Sequence, residues 1–369
     1  MPATTTVNLQ TDYTSLIGAL AQVQSQPLWD RYHRITTRQP TSPTPSKLWT
    51  WQSMEPLVAR AVAEVAMADA ERRVLLFTDP AEPQSVDTLR NLSGGLQTLM
   101  PSEIAHAHRH TLAALRFVMS GKGAVTVVNG QPCLMNEGDL VLTPSWTWHE
   151  HTHPAQGRMV WFDGLDLPLS HHFDSMFFEM GAPGLAAVQP PQTRAPMASS
   201  VAVTLQPDFP DVPDAAGATL DSAVKPGRFR FSAARAYATL EKSAPRSDGS
   251  RLLRYVDAIS QGAVLPTLDC YLLGLEASKP THKRRTTASA ICVVAQGQGT
   301  STIGDKTIAW KRNDVFTLPH WQWATHTASS SHAKLFLMSD RELLASTGYL
   351  REEEASQAEK ADKTKETSR

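Results

Sequence analysis

The feature that most constrains the fold is a pattern of short strands and turns that the sequence carries twice. Residues 117–123 (FVMSGKG) match residues 293–299 (VVAQGQG), and residues 139–148 match residues 314–323. Between glycine, proline and aspartate positions lie short runs rich in branched aliphatic and aromatic residues, which favour β-strands. The repetition predicts two copies of one all-β unit rather than a single large sheet.

The segments around the two copies differ from them in composition. Residues 13–35 and 53–70 have helix-like apolar spacing, and a short helix is expected at about 232–243. The predicted regions are an N-terminal helical arm (1–70), a first β-unit (71–180), a connector with the short helix (181–250), a second β-unit (251–345) and a polar tail (346–369). From Arg351 onwards the tail is expected to be a frayed helix or disordered, because this part is almost entirely polar and charged.

Composition excludes several classes of protein. The formal net charge of −1 gives no basis for binding nucleic acid or an anionic membrane. No apolar run has the length of a membrane span, and residues 1–8 lack the basic and apolar parts of a signal peptide. We therefore expect a soluble, cytoplasmic protein. Cys133, Cys270 and Cys292 are an odd number without metal-type spacing, so we expect buried free thiols rather than disulfides.

Three histidines form the most informative chemical pattern. His108 and His110 lie two residues apart in a predicted strand, so their side chains share one face about 7 Å apart along the backbone. His149 follows a glycine-aspartate turn, a buried strand and Pro144, which bring it to the same face from a second strand. Two exposed histidines in one strand are a weak signal, but the complete set predicts a mononuclear metal site.

The second copy lacks this set. At the matching offsets it has Arg284, Thr286 and Ala324, so it should hold no metal ion. The other histidines near these motifs lack ligand spacing. We expect His282, His320 and His326 to be surface or structural residues, His106 to lie at the mouth of the first unit, and His153 to be exposed to solvent.

The paired histidine and glycine-aspartate motifs resemble those of the cupin superfamily, a jelly roll of antiparallel strands. The resemblance becomes specific in residues 107–111 (AHRHT), 114–117 (ALRF), 143–149 (TPSWTWH) and 160–168 (VWFDGLDLP), which are similar to the gentisate 1,2-dioxygenase family. It implies a bicupin, that is, two jelly-roll β-barrels with an N-terminal helical arm. One departure from the general cupin pattern is that Ala114 and Leu115 stand where many members have a glutamate ligand.

A site without that glutamate has three neutral ligands, which leave a divalent ion its full charge and favour a dianionic chelator. Arg116 shares the inward face of His110 and could bind a carboxylate. The resemblance adds the other site residues, of which His151 has an active-site or packing role and Asp163 is a buried acid. It also implies that Arg72 binds the substrate carboxylate or closes the pocket, and that Ser93, Gly95 and Gln97 line the pocket.

The resemblance further implies Fe(II), dioxygen as co-substrate and cleavage of gentisate between its carboxyl- and hydroxyl-bearing carbons to give maleylpyruvate. Ser93 stands where relatives have an aromatic residue, so salicylate, 5-substituted salicylates and 1-hydroxy-2-naphthoate stay open as substrates. Two other classes also stay open, namely a zinc or manganese cupin isomerase or hydrolase, and a non-catalytic binding module. A homotetramer is the assembly that the family implies.

Overall fold

The computed structural model describes residues 9–41, 44–79, 82, 84–181, 204–205 and 229–355. The chain divides into two compact units, Met1–Thr41 and Ser42–Arg369. The helices are α1 Leu9–Gln22, α2 Tyr32–Ile35, α3 Trp51–Glu64, α4 Met67–Ala70, α5 Leu167–His172, α6 Ala233–Lys242 and α7 Arg341–Ser346. None of these helices is long and apolar enough to cross a membrane.

Strands dominate the second unit. In its N-terminal part they are β1 Leu48–Trp49, β2 Arg73–Phe77, β3 Ser93–Leu99, β4 Ile104–His110, β5 Ala114–Ser120, β6 Lys122–Val128, β7 Gln131–Asn136, β8 Leu140–Thr143, β9 His149–Thr152, β10 Met159–Leu165 and β11 Phe178–Met180. The following strands are β12 Thr204–Leu205, β13 Arg230–Phe231, β14 Arg251–Tyr255, β15 Asp269–Leu275, β16 Arg284–Thr286, β17 Ala290–Gln296, β18 Gln298–Ile303, β19 Lys306–Lys311, β20 Val315–Leu318, β21 Ala324–Ala328, β22 Ala333–Ser339 and β23 Glu352–Glu354.

Each half of this unit is built from two sheets. The first half has a sheet of order β13-β8-β5-β10-β3-β2 and a sheet of order β11-β4-β9-β6-β7. The second half has the orders β1-β20-β17-β22-β15-β14-β12 and β23-β16-β21-β18-β19. Apart from β12, which adds an edge strand to the second half, the strand order is the same in both halves. It makes β4 the counterpart of β16, β9 of β21 and β11 of β23. This confirms the duplication that the sequence predicts.

Burial along the strands shows where the core lies. In β6 and β7 buried and more exposed residues alternate, because one face of this sheet meets solvent. In β3, β5 and β10 nearly every residue is buried, because one face lines the interior of the first half and the other packs against the second half. Phe117 of β5 and Phe336 of β22 stack across this boundary with ring centroids 4.2 Å apart.

Close approach of the halves depends on Gly164 in β10. A Cβ added there would collide with the sulfur of Met338 and lie 3.1 Å from Leu115 Cδ1. The two halves thus share one apolar core that contains Phe117, Phe162 and Phe336. Since removing such a buried ring typically costs about 3–5 kcal/mol, this boundary contributes strongly to stability.

Two short segments connect the halves crosswise. β1 pairs with β20 of the second half, and the N–H of Trp51 at the start of α3 donates to Asp314 Oδ1 at 2.7 Å. β13 pairs with β8 of the first half, and the N–H of Ala233 at the start of α6 donates to Asp139 Oδ1 at 2.8 Å. Asp139 and its counterpart Asp314 therefore each anchor an incoming helix.

Several expectations can be compared with these elements. The helix expected at about 232–243 is confirmed as α6, and all three cysteines are confirmed as buried free thiols. The expectation of a frayed or disordered tail is wrong for Glu352–Glu354, which form β23 by pairing with β16. Most of the predicted connector, residues 182–203 and 206–228, and the end of the tail, residues 356–369, lie outside the described residues.

Candidate metal centre and active site

The three predicted ligands lie together in the first half. β4 carries His108 and His110, and β9 places His149 directly opposite His108. The ring centroids of His108 and His149 are 4.2 Å apart, and both are about 5 Å from that of His110, at 5.1 and 4.9 Å. One nitrogen from each ring lies within 4.8 Å of the others, and all three residues are buried. This arrangement could hold one metal ion.

Backbone carbonyls orient the three rings. His110 Nδ1 lies 2.8 Å from the oxygen of Leu112, His149 Nδ1 lies 2.9 Å from that of Thr147, and His108 Nδ1 lies 3.4 Å from that of His106. A carbonyl oxygen only accepts, so the contacts of His110 and His149 place the proton on Nδ1 and leave Nε2 as the metal ligand. The Nδ1 of His108 also contacts the guanidinium of Arg72, which only donates, so the carbonyl contact does not assign the proton of this ring. His149 Nε2 is buried without a hydrogen-bond partner among the described residues, as expected for an atom whose partner is a metal ion.

The electrostatics keep the cluster neutral. Burial and, to a lesser extent, the nearby charge of Arg72 together lower the pKa of His108 to about 2. Burial also lowers the pKa of His110 to about 4 and that of His149 well below its usual value. Because a metal binds only the unprotonated imidazole, the cluster is ready to bind an ion at neutral pH.

Arg116 lies in the interior of the first half, as its position in the strand predicts. Its Nη1 donates to Thr143 Oγ1 at 2.9 Å, and its Nε lies 3.4 Å from Asp163 Oδ1. Asp163 also accepts from Trp161 Nε1 at 3.0 Å. Burial raises the pKa of Asp163, and the charge of Arg116 opposes this rise. Asp163 thus balances and orients a buried guanidinium.

Arg72 lies against the candidate ligands. Its Nη2 donates to the carbonyl of His106 at 2.7 Å and contacts His108 Nδ1. Burial lowers the pKa of Arg72 to about 10, which still leaves it positively charged at neutral pH. Arg72 therefore adds a second cation beside the histidine cluster. Its neighbour Arg73 pairs with Glu103.

His151 is buried next to the cluster. Its Nδ1 lies 2.8 Å from Thr126 Oγ1, and its Nε2 is buried without a partner in the described part of the chain. The second half repeats the first of these contacts, since His326 Nδ1 lies 2.7 Å from Ser301 Oγ at the corresponding position. The hydroxyl contact is therefore common to both halves, and the free Nε2 of His151 is the atom available to a ligand.

The three remaining predicted residues follow one another along β3. Gln97 is buried and its Nε2 has no partner among the described residues, so its amide can donate to a ligand. A Cβ added to Gly95 would lie 2.9 Å from both Leu75 O and Val74 Cγ1, so this glycine allows β2 to pack closely. Ser93 is buried and its hydroxyl donates to the carbonyl of Val86 at 2.6 Å.

The structure also reveals a feature that we did not predict. Arg109, between the two ligand histidines, points to the other face of β4, where its guanidinium lies 4.3 Å and 4.8 Å from the ring centroids of Trp146 and Trp148. It also binds Glu179 of β11 at 2.6 Å. β11 in turn places Phe178 against the His108 ring, with centroids 5.2 Å apart. Arg109 thus fixes the strand that covers the ligands.

The second half repeats this clamp without the ligands. Arg285 lies over Trp321 and Trp323 at 4.3 and 4.7 Å and binds Glu353 of β23 at 2.6 Å. In each half a Trp-x-Trp pair follows the arginine at nearly the same distance in the sequence, and this pattern is a signal that could have found the clamp.

The structure places the other histidines as follows. The expectation that His153 is exposed is wrong, since it is 1% exposed and its Nε2 donates to the carbonyl of Gly157 at 2.6 Å. His106 is exposed. In the second half His326 is buried, and His282 lies 2.5 Å from a carboxylate oxygen of Glu354.

Two duplicated jelly-roll halves, one of them with three converging histidines, define the class of cupin metal-site proteins, and residues 95–165 match the Cupin domain family. The chain is 33% identical over 330 residues to gentisate 1,2-dioxygenase 1 of Aquipseudomonas alcaligenes, which covers 88% of this chain and 92% of that protein. It is 28% identical to 5-aminosalicylate 1,2-dioxygenase of Comamonas sp, over 94% of this chain and 91% of that protein.

A solved structure is similar over nearly the whole length. The adduct of salicylate 1,2-dioxygenase from Pseudoaminobacter salicylatoxidans with gentisate has a TM-score of 0.75 and 28% identity, covering 96% of each chain. The chain therefore belongs to the gentisate 1,2-dioxygenase family. The predicted bicupin fold is confirmed, and the chain is a dioxygenase with a site suited to a metal ion.

Proposed function

We propose that the protein is an Fe(II)-dependent dioxygenase that opens the ring of gentisate between its carboxyl- and hydroxyl-bearing carbons and forms maleylpyruvate. The observation that carries the proposal is the buried, neutral cluster of His108, His110 and His149 with a buried arginine, Arg116, in the same half. The family relationship to gentisate 1,2-dioxygenases supports the reaction and the use of dioxygen.

Bound Fe(II) would supply a common point of attachment for the substrate oxygens and dioxygen, and a path for electron density from the ring to the oxygen. The chain itself would hold the metal through the Nε2 atoms of the three histidines. Neutral ligands leave the ion a charge of +2, which favours a substrate that binds through a carboxylate and a phenolate.

Around the metal, the buried polar groups have distinct tasks in this proposal. Arg116, held by Thr143 and Asp163, binds the substrate carboxylate, and Arg72 adds positive charge on the side of His108. Holding the ring in one orientation replaces a random encounter with an oriented reaction. The unpaired Nε2 atoms of Gln97 and His151 are available to hydrogen-bond the ring substituents.

A second substrate class is favoured by one observation. Ser93 is small and buried, and its hydroxyl is already bound to Val86 O. A serine in place of an aromatic side chain would leave more space for a 5-substituent on salicylate. Consistent with this, one relative is named 5-aminosalicylate 1,2-dioxygenase. Salicylate and 1-hydroxy-2-naphthoate are further members of the same substrate class.

The test is oxygen uptake by the protein loaded anaerobically with Fe(II), with gentisate, salicylate, 5-aminosalicylate and 1-hydroxy-2-naphthoate as substrates. Uptake with the appearance of ring-opened product supports the proposal, and the ranking of rates identifies the substrate. Bound metal without uptake for any substrate would favour an isomerase or hydrolase that uses zinc or manganese. No bound metal at all would favour a binding module.

We also propose that the enzyme is cytoplasmic, that it binds no nucleic acid because its net charge is close to zero, and that it forms a homotetramer, as the resemblance to the family implies. Light scattering coupled to size-exclusion chromatography measures the mass of the assembly directly. A mass of one chain, 40.4 kDa, would overturn the tetramer.

A further inference from the structure

The second half contains a pocket of about 700 Å³, open to solvent, at the position that corresponds to the metal centre of the first half. Arg284 and Ala324 face each other in β16 and β21 and line this cavity, just as His108 and His149 face each other in β4 and β9. The volume lies in the range of roughly 300–1,000 Å³ that is typical of small-molecule sites. The half without the three histidine ligands therefore contains a pocket, here called the chamber, that is large enough for a small molecule.

The chamber combines an apolar wall with positively charged groups. Leucine side chains form much of the wall, namely Leu252, Leu273, Leu318 and Leu337. Arg284 and Arg341 line the same space. Arg284 stands where the first half has the ligand His108, so this position carries a permanent positive charge without a metal ion.

Carboxylates of the chain itself already form ion pairs with these two arginines. Glu354 of β23 lies 2.8 Å from Arg284, and Glu352 binds Arg341 through two bonds of 3.0 and 2.8 Å. The Glu354 and Glu352 side chains are 25% and 48% exposed. Ion pairs with this exposure contribute only about 0–1 kcal/mol, so an incoming carboxylate can exchange with them.

We propose that the second half is a binding site, without metal and without catalysis, for a small carboxylate with an apolar body. The ligand carboxylate replaces that of Glu354 on Arg284, and its apolar part contacts the leucine wall. The proposal does not depend on ring cleavage in the first half. It assigns a ligand to a half of the chain that has no metal ligands.

The test uses benzoate, which has a carboxylate and an apolar ring but lacks the 2-hydroxyl needed for chelation of iron. Isothermal titration calorimetry is performed on the full-length His110→Ala variant, so that an assembled metal centre does not contribute. Two further changes in this background have opposite expected effects. Arg284→Met should weaken benzoate binding at least tenfold, whereas Glu354→Gln, which removes the internal competitor, should tighten it about fivefold.

Arg116→Met in the same background is the matched control, because it removes the carboxylate-binding group of the first half. It should leave the benzoate binding that depends on Arg284 unchanged. Loss of binding in this control, or no detectable binding of benzoate at millimolar concentration in any variant, would overturn the proposal. If Arg284→Met does not fold, the Glu354→Gln variant alone tests the proposal. Benzoate affinity equal to that of the His110→Ala parent would then show that the ligand carboxylate does not replace that of Glu354.

Discussion

Arg116 and Asp163 face each other across β5 and β10 with Nε 3.4 Å from Oδ1, and both are buried. In the second half the corresponding residues are Cys292 and Leu337, which face each other across β17 and β22 in the same register. The fold therefore forms equally well with an apolar pair at this position. A buried ion pair is also not a reliable source of stability. We therefore infer that Arg116 and Asp163 serve the candidate active site rather than the stability of the fold.

Replacing Arg116 by lysine should lower kcat/KM for the substrate about 100-fold, because lysine keeps the charge but lacks the planar guanidinium that binds a carboxylate through two bonds. The iron content should stay at the wild-type level, since the three histidines are unchanged. Oxygen uptake at varied substrate concentration and a colorimetric iron assay measure both quantities. An unchanged kcat/KM would show that the substrate carboxylate binds elsewhere.

Replacing His110 by alanine should abolish iron loading and turnover, because only two of the three histidine ligands remain. The matched control is Thr286→Ala, which changes the corresponding residue of β16 in the half without ligands. We expect this control to load iron and turn over substrate like the wild type. Retention of both properties by the His110 variant would contradict the assignment of the metal centre.

The clamp in each half offers a second matched pair. Arg109→Ala should lower the free energy of unfolding by about 1–2 kcal/mol, because it removes stacking on two tryptophans and the ion pair with Glu179. It should also weaken iron binding, since β11 no longer holds Phe178 against His108.

Arg285→Ala removes the same contacts in the second half, so it should cause a similar loss of stability. Its effect on iron affinity should be small. Denaturant unfolding and competition with a chelator separate the two effects. Equal iron affinity in both variants would show that the clamp of the first half only stabilises the fold.

Stability should fall below pH 6.5 through His326. Burial lowers its pKa to about 4 from an ordinary value of 6.5, so between these values the unfolded chain binds a proton that the folded chain does not. The free energy of unfolding therefore begins to fall near pH 6.5, and the fall is complete near pH 4. At about 1.4 kcal/mol for each pH unit, the total loss is about 3 kcal/mol.

Other buried histidines also have lowered pKa values, so the contribution of His326 is measured as a difference. The free energy of unfolding of the wild type and of His326→Gln is followed from pH 8 to pH 4. As the pH falls, the free energy of unfolding of the variant should rise relative to that of the wild type. A difference that is independent of pH would show that His326 does not titrate in this way.

The sequence alone determined the features that depend on local spacing. The repeated strand and turn pattern gave the two halves, and alternation along β4 placed His108 and His110 on one face. The same alternation placed Arg116 in the interior, and the offsets of the repeat identified Arg284, Thr286 and Ala324 as the residues that replace the ligands. These inferences held because strand periodicity and turn geometry follow from the chemistry of neighbouring residues.

Only the tertiary structure decided the relationships between distant segments. The pairing of β11 with β4, the crosswise anchoring of α3 and α6 on Asp314 and Asp139, and the strand formed by Glu352–Glu354 all join residues far apart in the chain. The burial of His153 was missed for the same reason. A polar residue becomes part of the interior when a distant partner satisfies it, and the spacing of its neighbours in the sequence carries no record of that partner.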